Sequence, residues 1–336
     1  MIALKSAGRE PKMTPTLNQK QPGSQVSYSP ETPAATTTDV VTGAFSYTGK
    51  YLTRQLLAEG RSVRTLTGHP DRQNEFGDTV AAHPYSFDDP AMLTESLRGA
   101  DTLYNTYWVR FARGNVRYDA AVENTGTLIR AAEQAGVRRI VHVSITNPSL
   151  ESPFAYFRGK AQIEKMITES SLSYSILRPT VIFGDEDILI NNVAWLLRRL
   201  RVFGVPGDGK ARLQPIFVED LAELMAAAGQ SATNEVIDAV GPETFTFEEM
   251  VRLIHDTIGV RALIVNLPAG LIMPVVSVLN RITGDVVLTR DELDGLLADL
   301  IVTDSPPTGH TRLSDWLADH ADTVGTKYHS ELARHF

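Results

Sequence analysis

The apolar positions of this chain alternate between short β-branched runs and longer stretches with helical spacing. The run at Val40 and Val41 predicts a strand, and apolar residues at positions 51, 52, 56 and 57 predict a helix that Gly60 ends. Residues 62–67 then predict a second strand. Strand, helix and strand within about thirty residues form a parallel βαβ unit.

The same alternation continues through the first half of the chain. Ser152 is expected to cap a helix that starts at Pro153. Strands that alternate with helices predict an α/β fold with a doubly wound parallel sheet, which binds ligands at the carboxyl ends of its strands. The other predicted strands are residues 83–87, 101–107, 139–144 and 173–177, and the other predicted helices are residues 91–97 and 119–134.

The turn after the first strand has the glycine spacing of a phosphate-binding loop. Gly43 and Gly49 bound it, and Ser46 stands where the usual pattern has its middle glycine. The N-terminus of the following helix can hold a pyrophosphate, because its free N–H groups and dipole favour anions. The segment predicts a dinucleotide site in which Ser46 narrows access to the backbone and adds a hydroxyl donor.

Tyr156 and Lys160 form a Tyr-x-x-x-Lys pair on the predicted helix. Residues four apart share one helix face, so the phenol and the amine are expected to project together. A neighbouring cation favours the phenolate, which lets a tyrosine act as an acid or base near neutral pH. A single pair of this kind also arises by chance, but Ser144, at the end of the strand predicted over residues 139–144, adds a third polar group nearby.

Composition narrows the range of functions. The 32 basic and 40 acidic residues give a net charge of -8, which argues against nucleic-acid binding. The absence of cysteine excludes disulfides and cysteine nucleophiles, and it fits a reducing, cytoplasmic location. The eight histidines show no paired ligand spacing, so no metal site is expected, and His142 is interpreted as a core residue.

Two segments stand apart from the alternating pattern. Residues 1–38 are rich in Pro, Thr, Ser and Gln and predict a disordered tail. Residues 262–279 are the most apolar stretch, but Asn266, Pro268 and Pro274 interrupt it, and a spanning helix needs about 20 mostly apolar residues. We expect no transmembrane span there; ordinary core, a cover over a lipophilic pocket and a peripheral membrane contact remain open.

Four segments together resemble the extended or atypical branch of the short-chain dehydrogenase/reductase superfamily, near the NmrA-like and complex I accessory-subunit-like proteins. The resemblance covers about residues 39–330 and implies a Rossmann fold with a smaller C-terminal substrate lobe. The nucleotide-binding domain would span 39–185, completed by about 214–240, and the lobe would span mainly 186–336. The four segments are residues 42–49 (TGAFSYTG), 131–144, 177–184 (LRPTVIFG) and 214–222 (QPIFVEDLA).

The resemblance also assigns site residues. Its catalytic trio falls on Ser144, Tyr156 and Lys160, whereas Ala121 stands where the family often has an asparagine and Asn124 at a family glycine. Asp88 is implied to contact adenine, with a helix N-cap as its alternative role, and Tyr107 and Trp108 are expected either to wall the pocket or to pack in the core. The implied cofactor contacts are Gly43, Phe45, Ser46, Tyr47, Thr48, Gly49, His69, Arg72, Asp88, Thr106, Tyr107, Lys160 and Pro179.

Cofactor choice depends on the end of the second strand. NAD sites usually place an acid there to bind the ribose 2′-hydroxyl. Here Asp71 lies beyond Pro70, and His69 and Arg72 are candidates to meet a 2′-phosphate, so NADP is favoured over NAD. The alternative is that both side chains are solvated loop residues.

Three functions fit these observations. The first is an NAD(P)-dependent oxidoreductase that transfers hydride between nicotinamide and a carbonyl or alcohol of a small, partly apolar substrate. The second is a non-catalytic cofactor-binding redox sensor or assembly factor. The third, a nucleotide-sugar epimerase or dehydratase, would need a basic diphosphate clamp that the sequence does not reveal. The oligomeric state is not predicted.

Overall fold

A parallel sheet of seven strands lies at the centre of residues 37–111 and 117–335, which the computed structural model describes. The predicted doubly wound sheet is confirmed. Because the chain moves outward in opposite directions from β1, the carboxyl ends of β1 and β4 form the switch point at which such sheets bind ligands. The spatial order is β11 (Glu235–Ala239), β6 (Ser173–Pro179), β5 (Arg139–Val143), β4 (Thr102–Asn105), β1 (Thr38–Thr42), β2 (Ser62–Thr67) and β3 (Ala81–Pro84).

Five helices flank this sheet in two layers, each with its own apolar core. One core contains Leu52 and Met225, and the other contains Leu128 and Ile163, all of them buried. A short 3₁₀ helix, Gly77–Thr79, precedes β3. The first layer is α1 (Tyr47–Ala58) and α6 (Val218–Gln230), and the second is α2 (Pro90–Leu97), α3 (Tyr118–Ala135) and α4 (Ala155–Thr168).

The remaining elements gather around a third core that includes Phe203, Ile254 and Trp316. In this part β8 (Val202–Pro206) pairs in parallel with β13 (Leu263–Leu267). Two shorter pairs are β7 (Ile182–Phe183) with β10 (Ile216–Phe217) and β9 (Arg212–Leu213) with β12 (Phe245–Thr246). The helices are α5 (Leu189–Arg199), α7 (Phe247–Ile258), α8 (Ala269–Thr283), α9 (Arg290–Leu297), α10 (Leu313–Asp319) and α11 (Glu331–His335).

Several predicted boundaries were wrong for identifiable reasons. The fourth strand ends at Asn105 rather than Tyr107, because the N–H groups of Thr106 and Tyr107 donate to the Thr42 hydroxyl at 2.7 and 3.0 Å. The third strand covers Ala81–Pro84 rather than residues 83–87, since Ser86 has a positive φ of 44°.

The caps of α4 and α2 also differ from the prediction. Helix α4 begins at Ala155, and Ser152 does not cap it. The Ser152 hydroxyl instead accepts from the N–H of Phe154, the residue just before the helix, at 3.2 Å. Asp89, not Asp88, caps α2 by accepting from the N–H of Met92.

The apolar stretch 262–279 divides into β13 and α8, separated by Pro268. No helix in the described ranges is long and apolar enough to cross a membrane. The tail predicted for residues 1–38 lies outside the described residues except for its last two positions.

Gly49 allows α1 to approach the end of β1, and this contact gives the first prediction. A Cβ at Gly49 would lie 2.1 Å from the carbonyl oxygen of Gly43, which is backbone and cannot turn aside. Gly49→Ala is therefore expected to lower the free energy of unfolding by about 1–3 kcal/mol in urea denaturation. Gly270→Ala, where a Cβ meets nothing within 4 Å, is the control. Equal effects of the two changes would contradict the close approach.

Candidate nucleotide site

A cleft of about 340 Å³ opens at the carboxyl edge of β1, β2 and β4. It lies at the switch point where the fold predicts a ligand. Besides predicted contacts, its lining includes Tyr85, Val109, Arg110, Phe111 and Glu331. The residues predicted from the sequence that line it are Gly43, Phe45, Ser46, His69, Arg72, Thr106, Tyr107 and Trp108.

Other predicted contacts lie outside this lining. Thr48 and Gly49 belong to the first turn of α1, and Tyr47 lines an adjoining cavity of about 420 Å³. Asp88 is exposed beyond β3, and Pro179 is buried at the end of β6. The structure thus brings the glycine turn, the second-strand loop and the fourth-strand loop together, but not Asp88. The predicted trio of Ser144, Tyr156 and Lys160 also lies outside the lining of this cleft.

The glycine turn is held by its own hydrogen bonds. Gly43 has a φ of 68°, a left-handed conformation that favours glycine, and its N–H donates to Leu66 O at 2.7 Å. The Ser46 hydroxyl donates to Gly43 O at 2.6 Å, and the Ser46 N–H donates to the same oxygen at 2.8 Å. The sequence predicted that the Ser46 hydroxyl would donate to a ligand. In the structure it donates to Gly43 O and stabilises the turn instead.

Ser144 follows β5 directly, and the Lys160 amine binds the last residue of that strand. Ser144 is 4% exposed, and its hydroxyl has no hydrogen-bond partner among the described residues. The Lys160 amine donates to the carbonyl of Val143 at 2.8 Å, next to Ser144 in the chain. An unsatisfied buried hydroxyl costs about 1–3 kcal/mol, so Ser144 is suited to a ligand atom that supplies the missing bond.

Trp108 packs on the face of α4 that carries these groups. The Lys160 Nζ lies 4.6 Å from the centre of its ring, which is edge-on to Tyr156 at 5.5 Å and stacked on Tyr118 at 5.8 Å. A Cβ at Gly159 would come within 2.9 Å of the indole Cη2, so glycine makes room for the ring. The buried indole N–H also has no partner among the described residues.

The pKa of Tyr156 corrects one expectation. Burial raises this pKa above its usual range, Tyr118 adds to the effect, and the Arg110 charge opposes it. The expected lowering by Lys160 is absent, because the amine is directed to Val143 O and the Trp108 ring and is itself desolvated. Burial lowers the pKa of Lys160 to about 7. The phenol therefore holds its proton at neutral pH in this state.

Sequence reasoning missed the Arg110 ion pairs. Its Nε donates to Glu292 at 2.6 Å, and its Nη1 lies 3.4 Å from a carboxylate oxygen of Glu331. Asp285 holds Glu331 in place by accepting from the N–H groups of Glu331 and Leu332 at 2.9 and 3.0 Å. No local pattern marks these contacts, because they join the middle of the chain to its C-terminal region.

Asn124 and His142 have packing contacts near the site. The Asn124 amide donates to the Tyr107 hydroxyl at 2.9 Å, and the buried His142 ring lies 3.1 Å from the Asn105 amide. Burial lowers the pKa of His142 well below its usual value, consistent with a neutral core histidine. In the described part of the chain no group of three His, Asp or Glu side chains is arranged to hold a metal ion.

The cleft fits a dinucleotide, since it brings the glycine turn and the N-terminal end of α1 together with the loops after β2 and β4 at the switch point of the sheet. Residues 43–194 match the NAD(P)H-binding family. Residues 43–194 therefore form an NAD(P)-binding Rossmann domain. The family resemblance inferred from the sequence is thereby confirmed, although the comparisons do not distinguish NAD from NADP.

The chain is similar over most of its length to several known proteins. It is 24% identical over 284 residues to NADH dehydrogenase (ubiquinone) 1 alpha subcomplex subunit 9 of Arabidopsis thaliana, covering 79% of this chain and 71% of the relative. It is 26% identical to a 4-hydroxy-2-methyl-3-oxo-4-farnesyl-3,4-dihydroquinoline-1-oxide ketoreductase of Stigmatella aurantiaca, covering 68% and 75%. A nucleoside-diphosphate-sugar epimerase structure from Staphylococcus aureus shares the fold, with a TM-score of 0.64, 17% identity and coverage of 84% and 99%.

The buried Lys160 gives a prediction about stability and pH. The amine titrates near pH 10.5 in an unfolded chain but near 7 in the native protein, so between these values the unfolded state binds more protons and stability rises with pH. The stability of the wild type relative to Lys160→Met should rise by about 1.4 kcal/mol per pH unit in that window and stay level below it.

Urea denaturation over this pH range measures the difference, with the exposed Lys165→Met on the same helix as the matched control. If wild type and Lys160→Met gave parallel pH profiles, the amine would not be desolvated as the structure indicates.

Proposed function

We propose that this protein is an NAD(P)-dependent oxidoreductase acting on a carbonyl or alcohol of a small, partly apolar substrate. The observation that carries the proposal is the unpartnered, buried Ser144 hydroxyl beside the Lys160 amine at the end of β5. A hydroxyl in that position can donate to a substrate carbonyl oxygen and stabilise the charge that develops there. A purely structural serine would be expected to have a partner of its own.

The cofactor has a defined place in this proposal. The glycine turn would hold its pyrophosphate, and Lys160 would bind its ribose. When bound, the nicotinamide supplies or accepts a hydride. The protein then has to orient the substrate, exclude water and move one proton.

Tyr156 is the proposed proton donor. Its raised pKa keeps the phenol protonated at neutral pH, so it can give a proton to a carbonyl oxygen during reduction. Ser144 holds the same oxygen, and Lys160, with a pKa near 7, is poised to carry the compensating positive charge. In the reverse direction the phenolate would remove the proton from an alcohol.

The aromatic surroundings support an apolar substrate. Trp108, Tyr118 and Phe157 all contact the Tyr156 ring at centroid distances of 5.5–5.8 Å. Such a wall excludes water and favours planar or aliphatic groups. The ketoreductase relative acts on a farnesylated substrate according to its name, which agrees with this chemistry.

A non-catalytic role is the second candidate. Trp108 covers Lys160 and packs over Gly159, so the amine is engaged before any ligand arrives. The likeness to a subunit of NADH dehydrogenase favours an accessory function of this kind. Stable co-purification with partner proteins, without NAD(P)H oxidation across a panel of carbonyl compounds, would support it.

An epimerase role has weaker support. The epimerase structure shows the fold alone, and Arg110 in the cleft is already paired with Glu292 and Glu331. An anionic sugar nucleotide would have to displace one of these carboxylates. The reductase proposal requires no such exchange.

Tyr156→Phe tests the mechanism. Removal of the hydroxyl should lower turnover by about 100-fold to 10,000-fold, the usual contribution of general acid catalysis, while the affinity for NADPH stays nearly unchanged. A substrate screen with wild type identifies the carbonyl compound, and steady-state kinetics then compare the variants. Tyr174→Phe, on β6, is the matched control and should keep full activity. Retained turnover in Tyr156→Phe would rule out the proposed donor.

Arg72→Ala tests the NADP preference. Arg72 lines the cleft near the end of β2, and a charge-assisted hydrogen bond to a 2′-phosphate is worth roughly 1.5–3 kcal/mol. The variant should bind NADPH about 10-fold to 100-fold more weakly and NADH with little change, with a smaller effect for His69→Ala. Calorimetric titrations of both cofactors decide the question, with Arg130→Ala on α3 as the control. A preference of the wild type for NADH would contradict the assignment of Arg72 to the 2′-phosphate.

A further inference from the structure

Helix α8 has one buried and one exposed apolar face. Ile272 and Val276 are buried and pack with Leu293. Because four exposed apolar residues are spaced by four, three and four positions, they form one stripe along the outer side of the helix. This outer stripe consists of Leu271 (54% exposed), Val275 (44%), Val278 (59%) and Ile282 (72%).

The exposed apolar surface continues from α8 onto the paired strands β8 and β13. Val202 and Leu263 are register partners, and they are 50% and 66% exposed. Helix α8 contacts β8. Seven of the eleven exposed large apolar side chains in the described residues lie in or beside these three elements. An exposed concentration of this kind marks an interaction surface more often than scattered single residues do.

The charged residues within the segments that carry these elements are all basic. Residues 188–207 and 257–284 contain five arginines and no Asp or Glu, in a chain whose net charge is -8. Arg201, Arg261 and Arg281 are exposed, and none of them forms an ion pair with a described residue. The N–H of Leu263 donates to Arg201 O at 2.8 Å, so an arginine lies directly beside the exposed apolar pair.

We propose that the outer stripe of α8, with the exposed ends of β8 and β13, rests on an anionic lipid surface. The arginines would contact the headgroups while Val278, Ile282 and their neighbours enter the boundary of the acyl region. Charge complementarity selects this occupant over a second copy of the chain. A symmetric pair would bring the same arginines against each other across its interface.

Flotation of the full-length protein with vesicles tests the proposal. One vesicle type mixes phosphatidylcholine and phosphatidylglycerol in a three-to-one ratio, and the other is phosphatidylcholine alone. The wild type should float with the anionic vesicles, and binding should weaken as salt is added. The double variant V278E/I282E should bind at least about tenfold more weakly, because two inserted apolar groups become anions.

Two further variants make the test specific. M92E/V236E introduces the same two negative charges as V278E/I282E, at two exposed apolar residues outside the proposed surface (53% and 46% exposed). This variant should bind like the wild type. R201Q/R261Q/R281Q should lose the preference for anionic vesicles. Circular dichroism and thermal denaturation verify that each variant is folded.

Three results would overturn the proposal. The first is a wild type that does not float with the anionic vesicles. The second is a loss of binding in M92E/V236E as large as that in V278E/I282E. The third is a vesicle-free dimer that V278E/I282E converts to a monomer in light scattering, which would make a second copy the occupant. None of these results depends on the proposed oxidoreductase activity.

Discussion

The buried hydroxyl of Thr42 connects the parts on which the site depends. It donates toward Asn105 at 3.2 Å and accepts from the N–H groups of Thr106 and Tyr107. One side chain thus ends β4, turns the following loop toward the cleft and stands immediately before the glycine turn. The glycine turn and the loop after β4, which both line the nucleotide cleft, are therefore positioned by the same residue. Its side chain is fully buried.

Burial, more than ion pairing, sets the pKa values of Lys160 and Tyr156, which pack against the cleft residue Trp108. The Lys160 amine is placed between a backbone carbonyl and an indole ring, and no carboxylate of the described residues is hydrogen-bonded to it. A buried amine in such surroundings gives up its proton easily, whereas a buried phenol keeps it. Burial therefore eases the loss of a proton from Lys160 and keeps the Tyr156 phenol protonated.

The features that sequence predicted best were local ones. The left-handed turn at Gly43 and the four-residue spacing of Tyr156 and Lys160 follow from backbone rules that act within a few residues. The sequence could not predict that the Lys160 amine binds Val143 O, because that bond depends on how Trp108 packs over Gly159. Glu331 was missed for the same kind of reason, since its position is fixed by Asp285 and Arg110 from distant parts of the chain.

The central claim is that a dinucleotide binds in this cleft with its nicotinamide end near Trp108. Energy transfer from tryptophan to NADPH tests it most directly, because Trp195 and Trp316 do not line the cleft. Titration with NADPH should give saturable quenching of tryptophan emission with sensitised nucleotide emission. Trp108→Phe should lower the transfer efficiency while nucleotide fluorescence still reports binding. No saturable binding of NADPH or NADH, or transfer that persists unchanged in Trp108→Phe, would contradict the account.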